Sequence, residues 1–426
     1  MNTDDLYQLA YQSILNLSTE EGIYASAREE AFGCVFGRDS AITILKILRA
    51  HSRKPLPYLL ETCHKALLNL ILLQGKEFNL ESGEQPGKFI HEFRKDNHSH
   101  LTAPQNPLQK PWFIYPDGTM RNYDSLDSTP LSLIALYRYW QAISDNEFLI
   151  NVLPSVEAGL NWIISFGDPD KDFLLEYDFP PTRQFGGLSV QSWTDSHQSI
   201  LTPQGLLPQY PIAPVEVQAF AWMSLTLWAK FYQNQSPRFA QKLASFAEGM
   251  KQTFNKKFLL QDQGFYFAAQ ALDGQKQQIP TITANPLLCL WASDRDLGKT
   301  VSIIEEKILA DFVTRGFLPD LFVEGAGIRT MSSFSPTFNP NPDSYHNGSF
   351  WPVLNGLVVE GLENFGFKKE AKKLKEASLL PIRHFGCSIE LYNKTDSGYS
   401  EYCSPSGQVS CHTQAWSAAS ILDLAI

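Results

Sequence analysis

The sequence predicts an all-α fold in which six antiparallel helix pairs close into an (α/α)6 barrel. Apolar residues recur at helical spacing in twelve consecutive segments, and strand-like runs are few and short. Long polar loops follow alternate helices. In such a ring the inner helices are apolar over most of their surface and the outer helices are amphipathic. An ordinary helical bundle or a solenoid is the alternative, although no repeat of fixed period is visible.

The twelve predicted helices are distinguished by their caps and by their charge. Arg38-Asp39-Ser40 is predicted to be the loop and N-cap of the second helix, and Asp127-Ser128 caps the fourth. Residues 214–222 carry few charges, as an inner helix does, whereas residues 368–376 are rich in Lys and Glu and indicate an outer helix. The predicted bounds are 4–18, 40–51, 57–74, 128–143, 146–166, 215–232, 237–258, 284–292, 297–314, 347–365, 368–384 and 412–426.

Length and composition predict one large folded domain over residues 1–426. Hydrophobic residues make up 43% of the chain and charged residues 19%, so a large core can be buried. The chain has no linker rich in Pro, Gly or Ser that would divide it.

Charge and cysteine content limit the partners and the location. The formal net charge of -10 argues against nucleic acid or an anionic membrane as the main partner, because both need a basic face. The acidic opening Met1-Asn2-Thr3-Asp4-Asp5 and the absence of an apparent apolar run of transmembrane length predict a cytoplasmic protein. The six cysteines show no CxxC pair and no zinc-like spacing, so neither a disulfide nor a metal role is expected for them. No cofactor is expected for the function considered below. The sequence leaves the oligomeric state open.

Residues 186–197 contain the first candidate for catalysis. Their glycines and serines suit a loop, and Asp195 lies close to Trp193. An Asp against an apolar ring is desolvated, which raises its pKa and allows it to hold a proton near neutral pH. Asp195 is therefore a candidate general acid, and an ordinary helix N-cap is the alternative.

The polar loops combine aromatic and charged residues in the way that a sugar-binding cleft requires. Pyranose faces pack on aromatic rings, while sugar hydroxyls accept and donate charged hydrogen bonds. Hydrolysis also needs a second carboxylate across the scissile bond from Asp195, expected in a later loop. The candidates are Arg38, Asp39, His91, Glu92, Arg94, Trp193, Tyr345, His346, Trp351, Glu390, Tyr392, Glu401 and Tyr402.

Several of these residues have a structural interpretation as well. Arg38 and Asp39 could pair with each other and cap a helix, and Glu92 and Arg94 could form a surface ion pair. Five further residues could either line a cavity or belong to the core, and for the last of them the core is favoured: Glu216, Gln218, His346, Trp351 and Trp416.

Eight motifs in order resemble the amylo-α-1,6-glucosidase type of glycogen-debranching glycosidase, over roughly residues 20–425. Any one of them is weak evidence, but the ordered set is specific. The resemblance implies an (α/α)6 barrel and an inverting α-glucosidase, with Asp195 as general acid. The motifs are Phe36-Gly37-Arg38-Asp39-Ser40, Ser192-Trp193-Thr194-Asp195-Ser196 and residues 87–94, 126–130, 167–177, 214–218, 345–352 and 414–416.

The general base is also implied by resemblance. Related trehalases and processing α-glucosidases place it in a late Glu-x-Tyr segment, followed by a Gly-rich stretch and a Trp. Glu390-Leu391-Tyr392 is similar to that segment, which implies that Glu390 activates water, with Glu401 as the alternative. The residues expected to contact substrate are Arg38, Asp39, Glu92, Arg94, Asp127, Trp193, Glu216, Gln218, Tyr345, His346, Trp351 and Glu401.

The expected substrate is an oligosaccharide or a small α-glucoside. Many relatives carry a β-rich domain before the barrel, whereas this chain reaches its first predicted helix almost at once. The alternatives are a small-glucoside hydrolase of the trehalase or glucosylglycerate type, and a carbohydrate-binding barrel without catalysis. Alternating Asp in residues 168–172 could bind Ca²⁺, but Lys171 and a missing glycine favour a solvated loop.

Overall fold

The computed structural model describes residues 1–104, 106, 109–296 and 298–426, and helices dominate it. Two 3-10 helices, Asn285–Leu287 and Glu306–Ile308, each lead into an α-helix. Within the described residues the α-helices, numbered α1 to α13 in chain order, are Thr3–Leu17, Gly37–Arg53, Pro57–Leu72, Ser99–Thr102, Ser128–Ile143, Asn146–Ser165, Val215–Tyr232, Pro237–Lys257, Leu288–Trp291, Leu309–Gly316, Pro352–Asn364, Lys368–Phe385 and Ala415–Ala425.

Six of these helices contact one another in a closed cycle. The order is α2, α5, α7, α9, α11, α13 and back to α2. Outside the cycle, α3 contacts α2, α6 contacts α5, α8 contacts α7, α12 contacts α11 and α1 contacts α13. Helix α10 contacts the 3-10 helix that precedes α9. The cycle helices are therefore surrounded by their partners in the chain.

Burial along the helices agrees with the predicted inner and outer roles. Residues 214–222 are all buried, and α7 is apolar around most of its circumference. Helix α12 buries Ala371 and Leu374 and leaves Lys368, Lys369 and several other Lys and Glu side chains exposed or partly exposed. The predictions for these two segments are confirmed.

The all-α prediction was incomplete, because short antiparallel strands form two- and three-stranded sheets between the helices. One of these sheets precedes α2 and joins Val35–Phe36, Glu92–Arg94 and Met120–Asn122. The strands, numbered β1 to β16 in chain order, are Ser18–Thr19, Gly22–Ile23, Val35–Phe36, Glu92–Arg94, Met120–Asn122, Ala213–Pro214, Leu259–Asp262, Phe265–Ala268, Ala271–Leu272, Gln278–Ile279, Ser293–Asp296, Lys299–Ser302, Phe322–Val323, Gly327–Ile328, Tyr392–Thr395 and Gly398–Glu401.

The prediction of an α-helix over residues 297–314 was wrong over the described part of its first two thirds. Leu297 lies outside the described residues, and the chain after it forms strand β12, which pairs with β11. Gly298 has a φ of 82°, which suits a turn, and β-branched Thr300 and Val301 favour a strand. Helix α10 begins only at Leu309.

Five other helix starts differ from the prediction, and two of these differences are small, because α1 begins at Thr3 and not at residue 4 and α13 begins at Ala415 and not at residue 412. Helix α2 begins at Gly37, so Arg38 and Asp39 lie in its first turn and not in a loop before it. Helix α11 begins at Pro352 and not at residue 347, because Gly348 has a φ of 140° and Pro352 suits the first helical position. The predicted helix 284–292 contains only four α-helical residues after a 3-10 turn at Pro286.

Helix α6 is long and apolar enough to cross a membrane by length and composition alone, contrary to the expectation that the sequence holds no such run. The core helix of a folded protein passes the same test. Helix α6 contacts α5 and α3 and buries Val152, Val156, Leu160 and Ile163.

Ion pairs around Asp423 connect α2, α11 and α13. Lys46 Nζ lies 3.0 Å from Asp423 Oδ2 and 2.7 Å from Glu360 Oε2, and both Lys46 and Asp423 are fully buried. Arg49 Nη1 lies 2.6 Å from Asp423 Oδ2, and Arg53 pairs with the other oxygen. Burial raises the pKa of Asp423, but the three cations more than compensate, so the net pKa lies below its usual range.

Replacing Asp423 with Asn should lower the free energy of unfolding by roughly 3–5 kcal/mol, because it removes one of the two carboxylates that neutralise the buried Lys46 and leaves that charge with Glu360. Urea unfolding followed by circular dichroism measures the change. A lowered folded-state pKa stabilises the protein above the ordinary Asp pKa and stops doing so in acid, so the variant and wild type should converge at low pH. Glu61→Gln removes the exposed partner of Lys65 and is the control, with a change below about 0.5 kcal/mol. Equal stability of Asp423→Asn and wild type at neutral pH would contradict the prediction.

Candidate active site

A polar cavity lies where the N-terminal ends of α2, α11 and α13 meet the loop 186–197. The structure brings eight of the sequence-predicted residues to its wall. The enclosed space is small, about 30 Å³, which is room for one water, so a pyranose ring requires the lining side chains to move apart. The eight residues are Arg38, Asp39, Trp193, Asp195, Tyr345, His346, Trp351 and Glu390.

Arg38 organises the Asp195 side of the cavity. Its buried guanidinium donates to Asp127 Oδ2 at 2.8 Å, to the Ser192 carbonyl at 2.9 Å and to Asp195 Oδ2 at 3.1 Å. Gly37 permits this position of the helix start, because a Cβ there would come within 2.0 Å of the Ile90 carbonyl oxygen. Burial raises the pKa of Asp195, and the Arg38 charge opposes the rise without cancelling it.

Glu390 lies on another part of the wall and is fully buried. Its Oε1 accepts a hydrogen bond from the Tyr345 hydroxyl at 2.5 Å, and its Oε2 accepts one from the Cys411 backbone N–H at 3.0 Å. Burial raises the pKa of Glu390 to about 7, while these two donors favour the ionised form. Glu390 therefore exchanges a proton near neutral pH.

Asp39 is a third buried carboxyl in the same wall. Burial raises its pKa to about 7, Arg38 opposes the rise, and the nearby charges of Asp195 and Glu390 add to it. Gln414 Nε2 donates to Asp39 Oδ1 at 3.2 Å. The alternative that Arg38 and Asp39 pair with each other is not what the structure contains, since Arg38 pairs with Asp127 and Asp195.

Aromatic rings form the rest of the wall. His346 stacks on Trp351 with ring centroids 4.9 Å apart, and Trp193 meets both rings edge-on. Burial lowers the pKa of His346 well below its usual range, and Arg38 adds to this effect. Its imidazole is consequently neutral, and Nδ1 lies 2.8 Å from Ser196 Oγ. The rings of Trp193, Trp351 and Tyr345 provide flat faces beside the carboxyls, and such faces suit the packing of a sugar ring.

Three predicted contact residues lie behind this wall. Glu92 and Arg94 pair with each other at 2.5 Å but are buried, so the surface-pair alternative is wrong. Arg94 also donates to the Ala31 carbonyl, next to the cavity residue Phe32. Asp127 holds Arg38 from the side away from the cavity lining.

Glu216, Gln218 and Glu401 are also outside the lining in the described part of the chain. The Gln218 amide bonds to the backbone of Leu175 and Pro214. Glu216 is fully buried, and neither of its carboxyl oxygens has a hydrogen bond of ordinary geometry to any residue that the structure describes. Glu401 is partly exposed and pairs with His412 at 3.1 Å. For these residues a contact with substrate stays a prediction.

Sequence reasoning did not single out Phe32, Phe36 and Gln414, and it favoured the core for Trp416; all four line the cavity. A signal was available, because Phe36, Trp351 and Gln414 are the residues immediately before the first turns of α2, α11 and α13. These positions face the same end of the helix cycle. The sequence analysis did not use the position just before a helix as a signal.

The acidic loop after α6 is arranged around a lysine. The carboxylates of Asp168, Asp170 and Asp172 lie within 4.8 Å of one another, as their alternation suggested. Lys276 Nζ lies 3.0 Å from Asp170 and 3.1 Å from Asp172, and it also pairs with Glu176. The ammonium group supplies positive charge among these carboxylates, and the expectation of no metal stays a prediction.

Glycoside hydrolases use paired carboxyl groups for catalysis, and here several carboxyl groups lie beside aromatic rings in one cavity. The sequence profile of the amylo-alpha-1,6-glucosidase family matches residues 112–423, and the chain belongs to that family of glycosidases. The match includes Asp195 and Glu390, whereas Arg38, Asp39, Glu92 and Arg94 precede it.

Solved structures with the same fold cover almost the whole chain. The GH63 mannosylglycerate hydrolase from Thermus thermophilus in complex with Tris has a TM-score of 0.66 at 15% identity and covers 98% of this chain and 99% of its own. Its complex with glucose has a TM-score of 0.67 at 15% identity, with the same coverage. A wild-type glycosidase has a TM-score of 0.60 at 14% identity and covers 99% and 96%. No curated protein matches the sequence.

Glu216 provides a test of the electrostatics next to the cavity. Burial raises its pKa to about 8, while Ser192 and Asn285 oppose the rise. A raised folded-state pKa means that this group stabilises the fold below the ordinary Glu pKa, and that this stability is lost as pH rises towards 8. Glu216→Gln should therefore be more stable than wild type at pH 8 and equal to it near pH 4.5.

The difference should grow by on the order of 1.4 kcal/mol per pH unit within this window. Urea unfolding at several pH values measures it. Glu248→Gln on the exposed face of α8 is the control and should show no such trend. A constant difference between Glu216→Gln and wild type from pH 4.5 to 8 would exclude a raised pKa.

Proposed function

We propose that this glycosidase hydrolyses the α-glycosidic bond of a short glucoside with inversion, using Asp195 as general acid and Glu390 as general base. The observation that supports this best is that both carboxyls line one cavity whose other lining residues are mostly aromatic. Inversion requires the two carboxyl groups to stand roughly 6.5–9.5 Å apart, with a water between the base and the sugar.

The surroundings of each carboxyl suit its proposed role. Asp195 donates its proton to the leaving oxygen, and burial favours the protonated form that this step needs. Glu390 removes a proton from water, and the two donors that hold its oxygens support the charged form and fix its orientation. The Arg38 charge lowers the pKa of Asp195 against the effect of burial. Because the acid works only in its protonated form, this pKa sets the upper pH limit of its activity.

We also propose a single domain built as an (α/α)6 barrel. The closed cycle of α2, α5, α7, α9, α11 and α13, each with an outer partner or neighbour, supports the barrel. One hydrophobic cluster that runs from α1 to α13 supports the single domain. A cytoplasmic location and the absence of nucleic-acid and membrane partners remain expectations from composition.

The proposed substrate is small. A fold shared over nearly full length with a mannosylglycerate hydrolase makes a glycosylglycerate the second candidate beside a short α-glucoside. A non-catalytic carbohydrate-binding barrel would need neither acid nor base, so the partly buried Asp195 and the buried Glu390 in the cavity wall argue against it.

Glucose or mannose release from a panel of glycosides tests the proposal. The panel contains isomaltose, panose, maltose, trehalose, glucosylglycerate, mannosylglycerate and limit dextrin, with the product anomer followed by NMR. One α-linked substrate should release the β-anomer first. Release of the α-anomer would contradict inversion.

Three isosteric variants test the roles of the carboxyls with the best substrate. Asp195→Asn and Glu390→Gln should each lower kcat by at least about 10²–10⁴-fold, because each removes a proton-transfer group. Glu401→Gln is the matched control and should stay within about threefold, since Glu401 lies outside the cavity. A large loss in Glu401→Gln with normal activity in Glu390→Gln would move the base to Glu401.

Tyr345→Phe should shift the acidic limb of the kcat/KM profile to higher pH by about one unit. The base must be ionised, activity rises with pH through its pKa, and loss of the Tyr345 donor raises that pKa. One unit corresponds to a hydrogen bond of about 1.4 kcal/mol. Tyr402→Phe, which retains the Tyr345–Glu390 bond, is the control, and an unshifted limb in Tyr345→Phe would argue against Glu390 as the base.

A further inference from the structure

A second cavity lies next to the first, across the chain segment from Gln191 to Trp193. The loop after α3, the C-terminal end of α6 and residues 176–183 surround it. Its volume is about 470 Å³, within the range of small-molecule sites. Within the described residues it shares no lining residue with the cavity around Asp195 and Glu390.

Lys88 is the unusual group in its wall. The side chain is only 6% exposed, and Nζ has no hydrogen-bond or ion-pair partner among the described residues. The ammonium lies over the ring of Trp162, with Nζ 5.6 Å from the ring centroid. A buried ammonium without a counter-ion is costly, so this position is suited to an anion from outside the chain.

The carboxylates near Lys88 are engaged by other groups. Asp124 accepts from Arg183 at 2.8 and 2.9 Å and also from Asn122 and the Leu188 backbone. Glu84 accepts from the Tyr115 hydroxyl at 2.6 Å and from the Lys76 backbone at 2.8 Å.

Glu176, on the far wall, pairs with Lys276. The carboxylates that line the cavity or lie near Lys88 thus leave its ammonium without a direct partner.

The rim of the cavity is apolar and exposed. Phe78 and Leu80 are 66% and 50% exposed, and Phe78 meets Phe166 edge-on with centroids 5.2 Å apart. Exposed aromatic rings above a buried cation fit a ligand with a ring-shaped or apolar body and one negatively charged end.

We propose that this second cavity binds a small organic anion, whose carboxylate or phosphate group contacts Lys88 Nζ and whose body packs on Phe78 and Phe166. This site is separate from the proposed catalytic site and does not depend on its reaction.

Isothermal titration calorimetry on the full chain tests the proposal, with gluconate and glucose 6-phosphate as probes and sorbitol and glucose as their neutral counterparts. At least one anion should bind more tightly than its neutral counterpart, and the comparison between the two anions tells a carboxylate site from a phosphate site. Inorganic phosphate alone tests whether the charge suffices without a body.

Lys88→Met should weaken binding of the preferred anion at least about tenfold, because it removes the buried charge partner. Lys76→Met removes an exposed charge from the same loop and should change binding less than about twofold. Phe78→Ala should weaken binding of the organic anion several-fold and leave the binding of inorganic phosphate unchanged. Absence of binding by every anion, or binding that Lys88→Met does not weaken, would overturn the proposal.

A measurement on the unaltered protein gives an independent check. Burial lowers the pKa of Lys88 to about 8, with Asp124 and Asp127 opposing and Arg183 contributing, and the cavity also contains Glu84, Glu176 and Asp178. The affinity for the anion should fall as pH rises above 8, since the ammonium form is the one that binds. An affinity that stays constant from pH 7 to 9.5 would contradict the role of Lys88.

Discussion

The ion pairs of the buried Arg38 are the constraint on which the cavity around Asp195 and Glu390 depends. A guanidinium inside a protein must be paired on all sides, because water is not available to solvate it. Here its partners come from the N-terminus of α5, from the backbone of Ser192 and from Asp195. One side chain therefore joins two helices of the closed cycle to the loop that carries the proposed acid. The position of Asp195 follows from this charge balance.

The same burial explains the chemistry available to the site. Asp39, Asp195 and Glu390 are withdrawn from water, which disfavours their charged forms and raises all three pKa values. Arg38 opposes this for Asp39 and Asp195, whereas Tyr345 and the Cys411 backbone oppose it for Glu390. Neighbouring carboxyls with different partners can hold different protonation states, which acid–base catalysis requires. The second cavity differs, because its buried carboxyls are paired with other groups and the ammonium of Lys88 has no direct partner among the described residues.

Amphipathic periodicity predicted most of the helices, because a helix that buries one face must repeat its apolar residues at helical spacing. It failed at residues 299–308, where Gly298 and the β-branched Thr300 and Val301 produce a hairpin. It also failed at the short α9, where Pro286 favours a 3-10 turn. The small sheets were missed because two- to four-residue strands carry too few residues to show alternation.

The sequence by itself determined the helix-rich fold, the family and the polar loops from which the site is drawn, since periodicity and motifs are local properties of the chain. It could not determine which of those polar residues share a cavity. Glu390 and Glu401 look alike in sequence, yet only Glu390 lies in the wall, because strands β15 and β16 place Glu401 beside His412. Only tertiary packing brings Arg38 to Asp195, 157 residues apart, and only burial shifts their pKa values. Distance and desolvation are properties of the folded chain, and they decide which groups can act together.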